Sequence, residues 1–147
     1  MNGITLNKGL EPFDIYFKDI GQHSTIYFNP SDSDLPKRLI ECKDIVEKKA
    51  KEIKPYEVDE NGVPQSDDCL RFLEETNQVV YDAIDYAFGN KISDTVFEHC
   101  GAFSVVNGEY QILNFLNAIT PEIEKMVKAN QKTANRKMDK YLEKYKR

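Results

Sequence analysis

An α+β fold, mostly helical, with an N-terminal β-hairpin packed on three to four helices and a long C-terminal helix, is predicted by three observations. Apolar and polar residues alternate with period two only between Phe13 and Phe28. From Leu35 onward apolar residues recur mostly three, four or seven apart, the period of one helix face. Pro, Gly and Asn gather at the breaks between these segments, where turns and helix ends need them. A length of 147 residues, 40% hydrophobic and 31% charged, suits one globular domain with a real core. Its expected parts are a loose lead-in at 1–12, the hairpin at 13–28, a helical body at 35–128 and a basic helical tail at 129–147.

The lead-in, Met1 to Pro12, has room for a short strand at Ile4 to Leu6. Phe13, Ile15 and Phe17 then alternate with Asp14, Tyr16 and Lys18, and Ile26 and Phe28 with Thr25 and Tyr27, the pattern of strands with one wet face. Asp19-Ile20-Gly21-Gln22 between them supplies the turn of a hairpin. Two strands alone are marginal in water, so the hairpin must lie on a helix or join another sheet edge.

Asn29 to Asp34 breaks the strand, and Asp34 is placed to cap a helix whose first turn accommodates Pro36. Its buried stripe is Leu35, Leu39, Cys42, Val46, Ala50 and Ile53, with Lys43, Glu47, Lys48 and Lys51 on the wet side. Pro55 ends it, and Lys54 to Ser66, acidic and without a period, reads as a connecting loop. The central helix runs from Asp67 to Gly89 with Leu70, Leu73, Val80, Ile84, Ala87 and Phe88 inward. Asp67 or Asp68 caps its start and Gly89 supplies the left-handed residue at its end.

Ser93 is placed to cap a short helix from Asp94 to His99, stopped by Gly101, and Asn107-Gly108 reads as a turn. Tyr110, Leu113, Phe115, Leu116, Ile119, Ile123 and Val127 continue a helical face through Pro121, which either kinks one helix or opens a new one capped by Thr120. Beyond Lys128 the run is nearly all polar, and apolar residues return only at Met138, Tyr141, Leu142 and Tyr145. Such a helix buries little on its own domain, so it projects, frays, or is stabilised by another molecule. We expect Met138, Tyr141, Leu142 and Tyr145, with Lys137, Lys140 and Lys144 beside them, to bind protein, either a client or a second copy in a homo-oligomer.

The charge is unevenly spread. Lys125 to Arg147 carries nine Lys or Arg against Asp139 and Glu143, while Met1 to Glu124 carries eleven against 23 acids, so a body of −12 bears a tail of +7. With Lys132, Arg136, Lys146 and Arg147 added, the tail offers a second reading, a small nucleic-acid-binding or regulatory protein gripping phosphates. An acidic body repels the same polymer, so protein is the favoured partner. No run of about 18 apolar residues and no signal-peptide pattern is present, which excludes a membrane span and suggests the cytoplasm. Cys42, Cys69 and Cys100, odd in number and far apart, read as reduced thiols.

No enzyme is expected. His99-Cys100 pairs a metal ligand with a thiol, but neighbours on a helix point about 100° apart and no C-x-x-C or H-x-x-x-H accompanies them. Asp59-x-Asn61-Gly62 shares letters with a calcium loop but lacks the alternating ligands and the glutamate six residues later. Glu74, Glu75, Asp82 and Asp85 read as the solvated side of the central helix rather than an acid/base pair. No catalytic residue, metal or cofactor is therefore assigned.

Tyr86-Ala87-Phe88-Gly89, Ile92-Ser93-Asp94-Thr95-Val96-Phe97, Phe115-Leu116-Asn117-Ala118-Ile119-Thr120-Pro121 and Lys140-Tyr141-x-x-Lys144-Tyr145 resemble small proteins of tailed phages and prophages of Gram-positive bacteria. Those proteins are similar to the tail assembly chaperones encoded between the tail tube and tape-measure genes. The resemblance runs from Phe13 onward: hairpin, helix, acidic loop, helix, short connection, long C-terminal helix. It implies a non-enzymatic protein of the host cytoplasm that coats the tape-measure protein during tail assembly, with tape-measure or tail-tube protein as partner. It assigns no binding residues.

Overall fold

A computed structural model describes residues 2–53, 60–62 and 67–144, the side chains of residues 68 and 69 excepted. The loop expected at Lys54 to Ser66 therefore lies outside the described residues except for 60–62, as does the immediate approach to the cap expected at Asp67 or Asp68. Strand β1 (Glu11–Phe17) pairs antiparallel with β2 (Gln22–Phe28), with Phe13 opposite Ile26 and Glu11 opposite Phe28. Gly21 at φ +62° closes the turn, where a side chain would be strained. Phe13, Ile15 and Phe17 alternate inward on the same face as buried Ile26 and Phe28, as the period predicts. The first strand begins two residues early, and Ile4 and Leu6 form no strand and are almost fully exposed. The lead-in is tethered at its end: Asn29 Nδ2 donates to the Lys8 carbonyl at 3.2 Å, and Lys8 Nζ to the Gly89 carbonyl at 3.3 Å.

Helix α1 (Leu35–Glu52) buries Leu35, Cys42 and Val46, with Leu39, Ala50 and Ile53 packed beside them. Asp34 occupies the cap position without capping; instead Asp32 Oδ1 accepts from the Asp34 N–H at 2.9 Å. The other oxygen of Asp32 holds Arg38 Nη2 at 2.6 Å, and Arg38 Nε donates to the Ala87 carbonyl at 3.0 Å. A cation thus meets the negative end of helix α2 (Asp67–Phe88), and Gly89 follows at φ +66°.

Helix α2 buries Val80, Ile84, Ala87 and Phe88, but Leu70 is exposed and Leu73 only half-buried. Among the described residues full burial along this face begins at Thr76, whose hydroxyl donates to the Phe72 carbonyl at 2.7 Å. Helix α3 is a single turn, Ser93–Val96, and ends short of His99. Ser93 does not cap it. Asp85 of α2 does so from outside: Oδ1 accepts the Ile92 and Ser93 N–H groups at 2.8 Å each, and Oδ2 accepts the Ser93 hydroxyl at 2.9 Å.

Around Asn107 (φ 54°) and Gly108 (φ +79°) the expected turn closes a second small hairpin, β3 (Val105–Val106) with β4 (Glu109–Tyr110). Helix α4 (Gln111–Glu143) starts directly from β4, its first amides donating to Ser104 and Ala102 at 2.8 and 2.9 Å. It passes Pro121 as one helix. Thr120 does not cap a new one; its hydroxyl donates to the Leu116 carbonyl at 2.7 Å. Asn117, Thr120 and Pro121 lie on the exposed side, where water can reach the Asn117 carbonyl that Pro121 leaves without a donor.

The hairpin packs through its rings. Phe13 stacks on Phe28 at 4.6 Å, Phe28 meets Phe88 edge-on at 4.9 Å, and Phe88 meets Phe115 of α4 at 5.7 Å. Around this run Ile84, Ile92 and Ile112 are fully buried. Replacing Ile84 by alanine should cost about 2 to 5 kcal/mol in urea unfolding, and Leu73→Ala distinctly less; equal losses at both would contradict the burial seen here. Arg38 holds the Asp32 carboxyl below its ordinary 3.8, with the Asp34 amide helping. A depressed carboxylate contributes stability above its unfolded pKa and loses it as pH falls through the lower folded value. The stability difference between the native chain and Asp32→Asn should therefore be present at neutral pH and shrink as pH falls below the ordinary carboxylate value of 3.8 and through the lower folded one.

Candidate protein-docking site

Asn130 ties α4 to the body, its Nδ2 donating to Ser31 Oγ at 2.7 Å. From Gln131 to Lys144 every side chain is exposed, which is about 21 Å of helix standing clear of the body. On it Met138, Tyr141 and Leu142 are 57%, 58% and 48% exposed, with Ala134 one turn earlier on the same side. Lys137, Lys140 and Lys144 are exposed beside them, and Tyr145 lies outside the described residues. At 100° per residue, Ala134, Met138, Tyr141 and Leu142 share one face, flanked on one side by Lys137 and Lys144. An apolar stripe with amino groups along its edge suits a partner whose apolar groove has an acidic rim.

A set of residues absent from the sequence reading lies on α2. Phe72, Val79 and Tyr86 are 42%, 39% and 60% exposed, each seven residues from the next, with exposed Glu75 and Asp82 between them. They form a second stripe, about 120° round from the buried face. The acids here led the outer side to read as merely solvated, although the seven-residue recurrence was present in the letters.

The other candidates resolve into structural roles. His99 packs edge-on against Phe17 at 4.4 Å, with Nε2 3.3 Å from Glu98 Oε1, and Ser24 Oγ donates to the same Glu98 oxygen. The carboxylate therefore sits between hydroxyl and imidazole, the wrong order for an imidazole to take the hydroxyl proton. Asp85 is engaged by α3, so it is held apart from Glu74, Glu75 and Asp82. Residues 60–62 form a turn with Gly62 at φ +80°, and Asp59 lies outside the described residues. Among the described residues no cluster of His, Cys, Asp and Glu is arranged to hold a metal, and no helix is long and apolar enough to cross a membrane. A shallow open depression of about 560 Å³, lined by Lys128, Ala129, Gln131, Lys132 and Asn135, runs along α4 where it leaves the body.

Cys42 and Cys100 are free thiols. Burial pushes the Cys42 thiol up from 9.0 to about 11, so it favours the folded state below pH 9 and loses that contribution as pH rises through 11. In the native protein at pH 8, Cys42 should react with a thiol reagent far more slowly than half-buried Cys100, and denaturation should abolish the difference. Equal native rates would show that the α1 packing opens readily. No protein-family model, characterised protein or solved structure matches this chain.

Proposed function

We propose that this protein works by binding other proteins, and that it serves as a tail assembly chaperone that holds the tape-measure protein during phage or prophage tail morphogenesis in the host cytoplasm. The observation that carries the protein-binding part is the exposed apolar stripe on the half of α4 that stands clear of the body. The chaperone part rests on the resemblance to small phage tail proteins. A long helical client needs apolar contact at many points, and a binder that also associates with itself repeats its coverage along such a client. The tail-tube protein is the next partner in line. Chemistry on a substrate has no support from any cluster described above.

Truncation after Asn130 tests the reading. The body should keep its thermal midpoint within a few degrees, since every described residue that is removed is exposed, while binding to a tape-measure fragment weakens strongly. Unchanged binding would overturn it, and collapse of the fold would place the distal half of α4 in the core. Salt-sensitive retention of the full chain on DNA, lost in the truncated chain, would favour the nucleic-acid reading instead.

A further inference from the structure

We infer that the distal half of α4 docks on the outer stripe of α2 in a second copy of the same chain. This rests on reading distal α4 as a protein-docking element, though not on the identity of any client. The two surfaces match in three respects. Each carries apolar residues spaced as in two helices packed side by side: Phe72, Val79 and Tyr86 on α2, and Ala134, Met138 and Tyr141 on α4. Each carries a charged pair along its stripe at the same interval. Glu75 and Asp82 are seven residues apart, as are Lys137 and Lys144, so both pairs span two helical turns, about 10.5 Å. The signs are opposite, and the surroundings reinforce them, with +7 on the segment from Lys125 and −12 on the rest.

The acceptor cannot be the chain's own α2. Distal α4 continues one unbroken helix beyond Asn130 and is exposed along its whole length, while α2 lies in the body it has left. Donor and acceptor surfaces differ, so each copy offers one of each. The contact is heterologous: it closes when two copies exchange helices and otherwise continues from copy to copy.

The test is a charge exchange in the full-length protein, read by sedimentation velocity over a concentration series with circular dichroism to verify folding. All four positions are exposed, so the variants should fold as the native chain does. Glu75→Lys with Asp82→Lys should weaken self-association at least about tenfold, and so should Lys137→Glu with Lys144→Glu. An equimolar mixture of the two variants should regain association, because each variant's α4 then faces an α2 of opposite sign. Raising salt should weaken the native assembly. A native chain that stays monomeric, variants that associate as it does, or a mixture that fails to recover would each overturn the inference. Binding of the same proteins to an immobilised tape-measure fragment separates the two proposals. A monomer that binds the fragment sinks only the self-docking, and an assembly that ignores it sinks only the chaperone role.

Discussion

Phe28 is the residue on which this structure turns. A two-stranded hairpin has no stability of its own in water, and here its inward face is closed by a ring that stacks on Phe13 within the hairpin and meets Phe88 of α2 edge-on. Phe88 passes the contact to Phe115 of α4, so one run of aromatic rings joins the sheet to two helices. Removing the Phe28 ring would leave a large cavity where these elements meet, and among the described residues neither strand pairs with a third.

Polar contacts place what the rings hold together, and they do so at helix ends. Arg38 reaches from α1 to the Ala87 carbonyl at the end of α2 while Asp32 fixes its guanidinium. Asp85 reaches from α2 to the first amides of α3. Each reconciles a group that a helix terminus leaves unpaired with a side chain on a different element, so the caps also set which elements are neighbours. Such bonds add little energy singly, and their effect is to select one arrangement among several that would bury the same rings.

Much of this was legible in the letters. The hairpin, Gly21, Gly89 and the Asn107-Gly108 turn announced themselves because backbone conformation at a turn is decided locally. The periods of α1, α2 and α4 gave the correct inward angle. They could not give its extent: Leu70 and Leu73 share the face of Val80 and Ile84, yet Leu70 is exposed and Leu73 only half-buried, and only a neighbour's position decides that. The caps failed for a related reason. Asp34 stands at the cap position of α1, and Ser93 is already the first residue of α3, but Asp32 and Asp85 carry the bonds, and Asp85 belongs to another helix. The exposed apolar residues of distal α4 were visible because polar neighbours isolate them, whereas those on α2 were concealed among acids.

Helix α4 joins the core to its distal surface with no linker between. A flexible tether would let a docked partner sit at any angle to the body, but a continuous helix from Gln111 to Glu143 fixes both reach and rotation. Each residue inserted after Asn130 would advance the stripe by about 1.5 Å and turn it by about 100°, while seven would nearly restore its facing. The segment is therefore a ruler with a phase. Whatever rides on it inherits an orientation set deep inside the body, by the isoleucines that hold the first half of the same helix, and Pro121, where one backbone hydrogen bond is missing, lies within that half.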